Sequence, residues 1–208
     1  MTPLLRWDSA LLKLELLGDP RLAWPGGVTL SGNQALAAAQ SARGLIAVAL
    51  RGVVTHEMRQ ALRLWGATLL PSAPPAPDLS AEFARTLGTE LAAELAQEPP
   101  LLVAPAGEAS MLLGALRALR ARWPKVRGVA LVAGDAELPD LPREAPEGVD
   151  RLAISFAQAR DARARVAREL GLLAGHASAA AAAYAQEHGG VALVTGPGER
   201  EFSLDPPR

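Results

Sequence analysis

The stretch V-T-L-S-G-N-Q-A-L-A-A-A-Q-S-A-R-G, Val28 to Gly44, passes from a short apolar strand through a polar turn into an alanine-rich run of helical character. A strand that feeds straight into a helix is half of a βαβ unit, and such units build parallel sheets. The turn is Ser31, Gly32 and Asn33. Serine and asparagine are preferred capping and turn residues, yet a capped helix start also offers bare N–H groups to a small carboxylate or sulfate. Both roles are open for Ser31, Gly32, Asn33 and Gln34.

The same switch of periodicity recurs along the chain. Leu45–Leu50, Ala67–Leu70, Leu101–Ala104, Gly128–Val132 and Val191–Val194 are short runs apolar on both faces, the pattern of strands covered by helices on either side. Between them lie helical stripes: Met58, Ala61, Leu62 and Trp65 in one, and Leu112, Ala115, Leu116, Leu119 and Trp123 in another. Ser155 is placed to cap a helix that runs to Leu170 and stops at Gly171, with Ala159, Ala162, Val166 and Leu170 inward. Alternation of this kind predicts an α/β fold of open, twisted, mostly parallel sheets with helices on both faces.

At 208 residues the chain suffices for one large domain or two packed lobes, domains running to roughly 100–200 residues. With 50% hydrophobic and 21% charged residues it has the composition of a folded globular protein rather than a disordered one. The lack of cysteine excludes disulfides, thiolate metal sites and cysteine nucleophiles. His56, His176 and His188 are too scattered for a metal centre, and none lies in a nucleophile context, so no metal ligand and no catalytic residue is nominated. A net charge of -1 gives no reason to expect nucleic acid or an anionic membrane as partner. No secretory signal is seen at the start, and no apolar run reaches the roughly 18 residues of a membrane span; a cytoplasmic location is expected.

Two proline-rich stretches punctuate the pattern. P-S-A-P-P-A-P, Pro71 to Pro77, cannot donate a regular backbone ladder and reads as a stiff connector between lobes. P-D-L-P-R-E-A-P, Pro139 to Pro146, reads as a surface loop.

Six fragments then occur in a telling order: L-K-L-E at Leu12–Glu15, L-S-G-N-Q-A-L-A-A-A at Leu30–Ala39, R-Q-A-L-R-L-W-G-A-T-L-L at Arg59–Leu70, G-T-E-L-A-A-E-L at Gly88–Leu95, E-L-G-L-L-A-G-H-A-S-A-A-A-A-A at Glu169–Ala183 and G-P-G-E-R-E-F at Gly196–Phe202. This succession resembles the fold type II pyridoxal-phosphate enzymes, such as cysteine synthase, threonine synthase, threonine dehydratase and the tryptophan synthase β chain. The resemblance implies a two-lobed fold with the cofactor in the cleft: residues 1–22 and 79–208 forming the larger lobe, 23–78 the smaller. It also implies a homodimer, or association with a functional paralogue. Asn33, Gly107 and Ser178 are the residual cofactor contacts it implies, and Ser31–Gln34 the substrate-carboxylate loop.

Three departures mark the site. The family's Schiff-base lysine belongs between the K-L-E match and the S-G-N turn, where K-L-E-L-L-G-D-P-R-L-A-W-P-G-G-V-T-L-S-G-N offers none after Lys13. The chain's other lysine is Lys125, and both read as ordinary surface or strand-edge residues. An imine requires a primary amine that can be deprotonated, and arginine cannot substitute. Second, the phosphate-binding glycine run is reduced to V-A-P-A-G-E-A-S-M-L-L, Val103–Leu113, with Gly107 alone, and Glu108 falls where the first helical turn is expected. A carboxylate there satisfies the helix dipole itself and repels a phosphate. Third, in G-H-A-S-A-A, Gly175–Ala180, alanines replace a serine and a glycine of the family's S-S-G-A pattern. Ser178 survives, either to donate to a pyridine nitrogen or to cap the alanine-rich helix that ends near Gly189.

Gly196-Pro-Gly-Glu-Arg lacks the full spacing of a dinucleotide turn. Arg160, Arg163, Arg165 and Arg168 interleave with Asp161 and Glu169 and read as a solvated helix face. The expectation is a non-catalytic relative of these enzymes, without cofactor, binding a small carboxylate or anion near Ser31–Gln34 or serving as a regulatory or structural subunit. The alternative is an active pyridoxal-phosphate lyase or synthase acting on serine, threonine or a cysteine precursor.

Overall fold

In a computed structural model, which describes residues 3–15, 26–42, 46–51, 54–133 and 148–196, the strand–turn–helix reading of the opening stretch is realised as β3 (Val28–Ser31) running without a break into α1 (Gly32–Ser41). With β4 (Ala47–Arg51), α2 (His56–Leu64) and β5 (Thr68–Leu69) they form a three-stranded parallel sheet in the order β3-β4-β5. The second sheet draws on both sides of this segment. It contains β1 (Leu4–Trp7), β2 (Ala10–Leu14), β6 (Leu101–Pro105), β7 (Arg127–Ala133), β8 (Val149–Ile154) and β9 (Gly190–Val194), in the order β1-β2-β9-β6-β7-β8. Among the described strands only the β1–β2 pair is antiparallel. Its two-residue turn is closed by Asp8 at φ 48, a backbone that aspartate tolerates better than most side chains.

The central strands bury both faces, as their unbroken apolar runs require. Leu102, Ala104 and Leu193 point to one side, where Phe83, Leu87, Leu112, Leu116 and Leu119 cover them. Val103, Val129 and Ala192 point to the other, against Ala179–Ala182, Ala159 and Val166. The covering helices on the first side are α3 (Ser80–Phe83), a π-helical turn (Ala84–Gly88), α4 (Thr89–Glu94) and α5 (Ala109–Arg122). Those on the second are α6 (Phe156–Leu170) and α7 (His176–His188). A methyl group on Gly114 would collide with the Ser80 carbonyl and Phe83, and one on Gly88 would stand 2.6 Å from the Ala118 methyl. These glycines let the segment 80–94 lie directly on α5.

The α6 ends are as read from sequence. Ser155 accepts from the Gln158 N–H in a reciprocal capping box, and Gly171 closes the helix at φ 64. Arg163, however, belongs to the buried side of α6 rather than to a solvated face. The alanine helix α7 is capped by Gly175, not by Ser178, which lies one turn inside. Glu108 sits in a 3-10 turn, Ala106–Glu108, that leads into α5, so the first α-helical turn holds no acid. Leu45, the 139–146 proline loop, Trp24 and most of Gly196–Arg200 lie outside the described residues.

Lys13 overturns its reading as a surface or strand-edge residue. It is fully buried, with Nζ 2.5 Å from Glu90 Oε1 and 2.7 Å from Glu94 Oε2. The strand alternation that sends Leu12 and Leu14 to one face sends Leu11 and Lys13 to the other, where Glu90 and Glu94, four apart on α4, present their carboxylates together. Nor does the proline-rich segment span open space. The Thr29 N–H donates to the Pro74 carbonyl at 2.7 Å and the Thr29 hydroxyl to Ala73 at 2.6 Å, with Pro75 in parallel register to Thr29. The prolines thus line the outer edge of β3.

Lys13→Ala leaves buried carboxylates without their cation and is expected to cost about 3–5 kcal/mol, read as a lower urea midpoint at unchanged slope. Gly114→Ala is expected to cost about 1–3 kcal/mol through overpacking against Ser80 and Phe83, read in the same titration.

Candidate functional site in the groove beyond the strand ends

In open α/β sheets ligands gather outside the carboxyl ends of the strands, because only there do helix starts and loops face solvent. Here those ends include Ser31 and Arg51 in the smaller sheet and Leu14, Pro105 and Val194 in the larger. Ser31 ends β3 opposite Arg51 in register. Gly32 opens α1 and is buried. Asn33 turns toward the other sheet: its amide nitrogen would lie 2.9 Å from a methyl placed on Gly196, just past β9. The Asn33 carbonyl oxygen is shielded from solvent and has no hydrogen-bond partner among the described residues, a costly state for an acceptor.

Ser178 lies beside the same strand end, with its hydroxyl engaged. It accepts from the Thr195 N–H at 3.2 Å and the Gly196 N–H at 3.3 Å, and its oxygen is 3.3 Å from Thr195 Oγ1. The Gly175 N–H donates to the Gly196 carbonyl at 2.6 Å, tying the start of α7 to the same turn. Gly107, in the turn between β6 and α5, has open space on its Cα. The structure therefore brings Asn33 and Ser178 to a common neighbour, Gly196.

Neither lysine joins them. Lys13 is held between Glu90 and Glu94. Lys125 is exposed in the turn between α5 and β7, at the amino end of a strand whose first residue, Arg127, pairs with Leu101. That is the opposite end of the sheet from Gly107 and Ser178, and the chain has no third lysine. The groups through which the resemblance would hold pyridoxal phosphate do not fit it as they stand. The Lys13 ammonium, near the carboxyl end of β2, is held by Glu90 and Glu94, Lys125 is at the other end of the sheet, and one glycine replaces a run.

What remains open is a groove of about 370 Å³ whose lining includes Leu30, Gln34, Arg51, Asp78, Ser110 and Leu113. It lies between α1, the connector and the start of α5. Sequence reasoning found Gln34 here and missed three residues. Arg51 was detectable, since it follows the apolar run Leu45–Leu50 at a strand's carboxyl end. Asp78 and Ser110 carry no such signal: they come together across 32 residues, with the Ser110 hydroxyl 3.3 Å from Asp78 Oδ1. Asp78 also accepts from the Ser80 N–H and hydroxyl, each at 2.8 Å. Its carboxyl is held below the ordinary aspartate range, chiefly by that backbone bond, against a smaller opposing effect of burial.

His176 stays apart from the groove. Its ring is buried, stacks on Phe156 at 4.8 Å and has Nε2 3.5 Å from an Arg163 nitrogen. A second groove, about 450 Å³, runs between α6 and α7 over Leu131 and Ile154. On its rim Arg165 is committed to Glu169, to Gln186 and to the face of Trp7. Among the described residues no three His, Asp or Glu side chains are grouped to hold a metal ion, and no helix is long and apolar enough to cross a membrane.

No protein-family model matches the chain, and no curated protein matches it. Solved structures match it in shape. An O-acetylserine-dependent cystathionine β-synthase from Helicobacter pylori superposes with a TM-score of 0.74 at 18% identity, over 97% of this chain and 94% of that one. An O-ureido-L-serine synthase gives 0.69 at 20% identity, over 97% and 90%. A fungal L-serine ammonia-lyase from Rhizomucor miehei gives 0.69 at 17%, over 95% and 93%. All three are fold type II pyridoxal-phosphate enzymes, and theirs is the fold that this chain adopts.

Proposed function

We propose that the chain is a cofactor-independent relative of these enzymes that binds a small carboxylate in the groove between α1 and α5, in a regulatory or binding role. One observation carries the reading: the Lys13 ammonium, although its strand position is one residue from the carboxyl end of β2, is buried between two carboxylates, and Lys125 lies at the far end of the sheet. Covalent cofactor chemistry of the kind the fold hosts begins with an amine in the cleft. The groove keeps what carboxylate recognition needs, a guanidinium from Arg51 and an amide from Gln34 beside apolar walls. Asn33 and Ser178 act as structural residues at Gly196.

The solved structures of similar shape favour a second reading, an active pyridoxal-phosphate lyase or synthase acting on an amino acid. They are synthases and an ammonia-lyase by their own descriptions. It requires Lys13 to leave its two glutamates or a partner chain to supply an amine.

Incubation with pyridoxal phosphate followed by borohydride is expected to leave Lys13 unmodified by mass spectrometry, whatever surface labelling the exposed Lys125 takes, and a pyridoxyl group on Lys13 would overturn the first reading. A thermal-shift series with isocaproate, succinate and sulfate is expected to stabilise the folded chain. At a hundredfold excess over Kd the linkage is about 2.7 kcal/mol, or about 5–10 °C for a chain of this length. Ser178→Ala is expected to cost about 1–3 kcal/mol by orphaning two buried N–H groups, and to leave the isocaproate response unchanged.

A further inference from the structure

We infer that α6 is a self-docking surface: two copies of the chain pair their α6 helices antiparallel, about a two-fold axis beside Ala164. This surface is separate from the groove between α1 and α5 and does not depend on what that groove binds. Ala159, Arg163 and Val166 face inward from α6, while Ala157, Asp161, Ala164 and Arg168 on its opposite side are all exposed. At about 3.6 residues per turn, residues seven apart recur after nearly two turns, so these four form one outward stripe. The stripe carries an acid toward its start and a base toward its end, about 10.5 Å apart along the axis and too far apart to pair with each other. Neither Asp161 nor Arg168 has a side-chain partner among the described residues, whereas Arg165, between them, is bonded to Glu169 and Gln186.

A stripe with opposite charges at its two ends is complementary to itself turned end for end. With Asp161 opposite Arg168 of the second copy, the same ion pair forms twice, as a two-fold axis requires. A parallel pairing would instead set acid against acid and base against base. The axis passes between Ala164 and Arg165. The small side chain of Ala164 lets the two backbones approach closely. Arg165 does not confront its own copy, because its guanidinium lies over Trp7, 5.0 Å from the ring centre, and is held there by Glu169 and Gln186. Beside the stripe, the groove of about 450 Å³ between α6 and α7 leaves Ile154, Ala162, Ala183 and Tyr184 only half-buried, and a helix lying along α6 covers them. Burial of that apolar surface supplies attraction, and the two charges fix direction and register.

The chain has no cysteine, so a single introduced thiol reports the pairing. Helices about 8–10 Å apart, with Cα atoms about 2.3 Å from each axis, bring facing residues within the reach of a disulfide. Ala164→Cys in the full chain is expected to give a disulfide-linked dimer under mild oxidation, read on a non-reducing gel. Ala157→Cys, exposed on the same stripe, is expected to stay unlinked, because this register sets it about 22 Å from its copy along the axis. Sedimentation of the unaltered chain is expected to show a reversible dimer. Asp161→Arg and Arg168→Asp are each expected to weaken it about tenfold or more, since each sets like charges opposite one another twice, and the two together are expected to restore it. An unaltered chain that stays monomeric overturns the inference without relying on any variant to fold. A dimer that both single reversals leave intact, or that the double exchange does not recover, overturns it too, as does linking of Ala157→Cys as readily as Ala164→Cys.

Discussion

The constraint on which the structure depends is that the inner strands of its larger sheet are covered on both faces. Leu102 and Val103, neighbours in one strand, look into two different cores. Polar chemistry is thereby pushed to the strand ends, where backbone and side chains meet solvent. Lys13, one residue from the carboxyl end of β2, is fully buried, and its ammonium group is compatible with a dry interior because carboxylates come to it. A buried pair of this kind is weak evidence for net stability, but it fixes which helix face meets which strand.

The strand ends show the same economy with the opposite outcome. Asn33 and Ser178 converge on Gly196, and the Ser178 hydroxyl serves two backbone N–H groups. Open space lies on the flank of β3, toward the connector and the start of α5. Function in α/β proteins resides in sites grafted on the fold rather than in the fold itself, which is why likeness to synthases and lyases carries the architecture and leaves the chemistry to this chain's own side chains.

Much of the architecture was legible in the sequence, because central parallel strands and amphipathic helices write their burial directly into residue order. Val191–Val194, Leu101–Ala104 and the Ser155–Gly171 helix emerged within a residue or so of their ends. Strands without that signature were not legible. β8 carries Asp150 and Arg151 on an edge, and the β1–β2 turn is closed by Asp8 rather than glycine. Of the two roles open to Ser178, the cap falls to Gly175 instead, and the serine's observed partners, 17 and 18 residues away, leave no local signal. Of the candidate site, Gln34 was visible from its place after the turn. Arg51 was detectable at the end of an apolar run, whereas Asp78 and Ser110 depended on the connector lying along β3, a tertiary arrangement that local preference does not encode.

That arrangement has a mechanical corollary. Because Ala73 and Pro74 are fastened to Thr29, the free part of this second crossing between the two sheets shrinks to the few residues from Ala76 to Leu79, which also line the groove. Rocking of one sheet against the other would bend that short span, so a guest molecule lodged there would resist it as a wedge does in a joint.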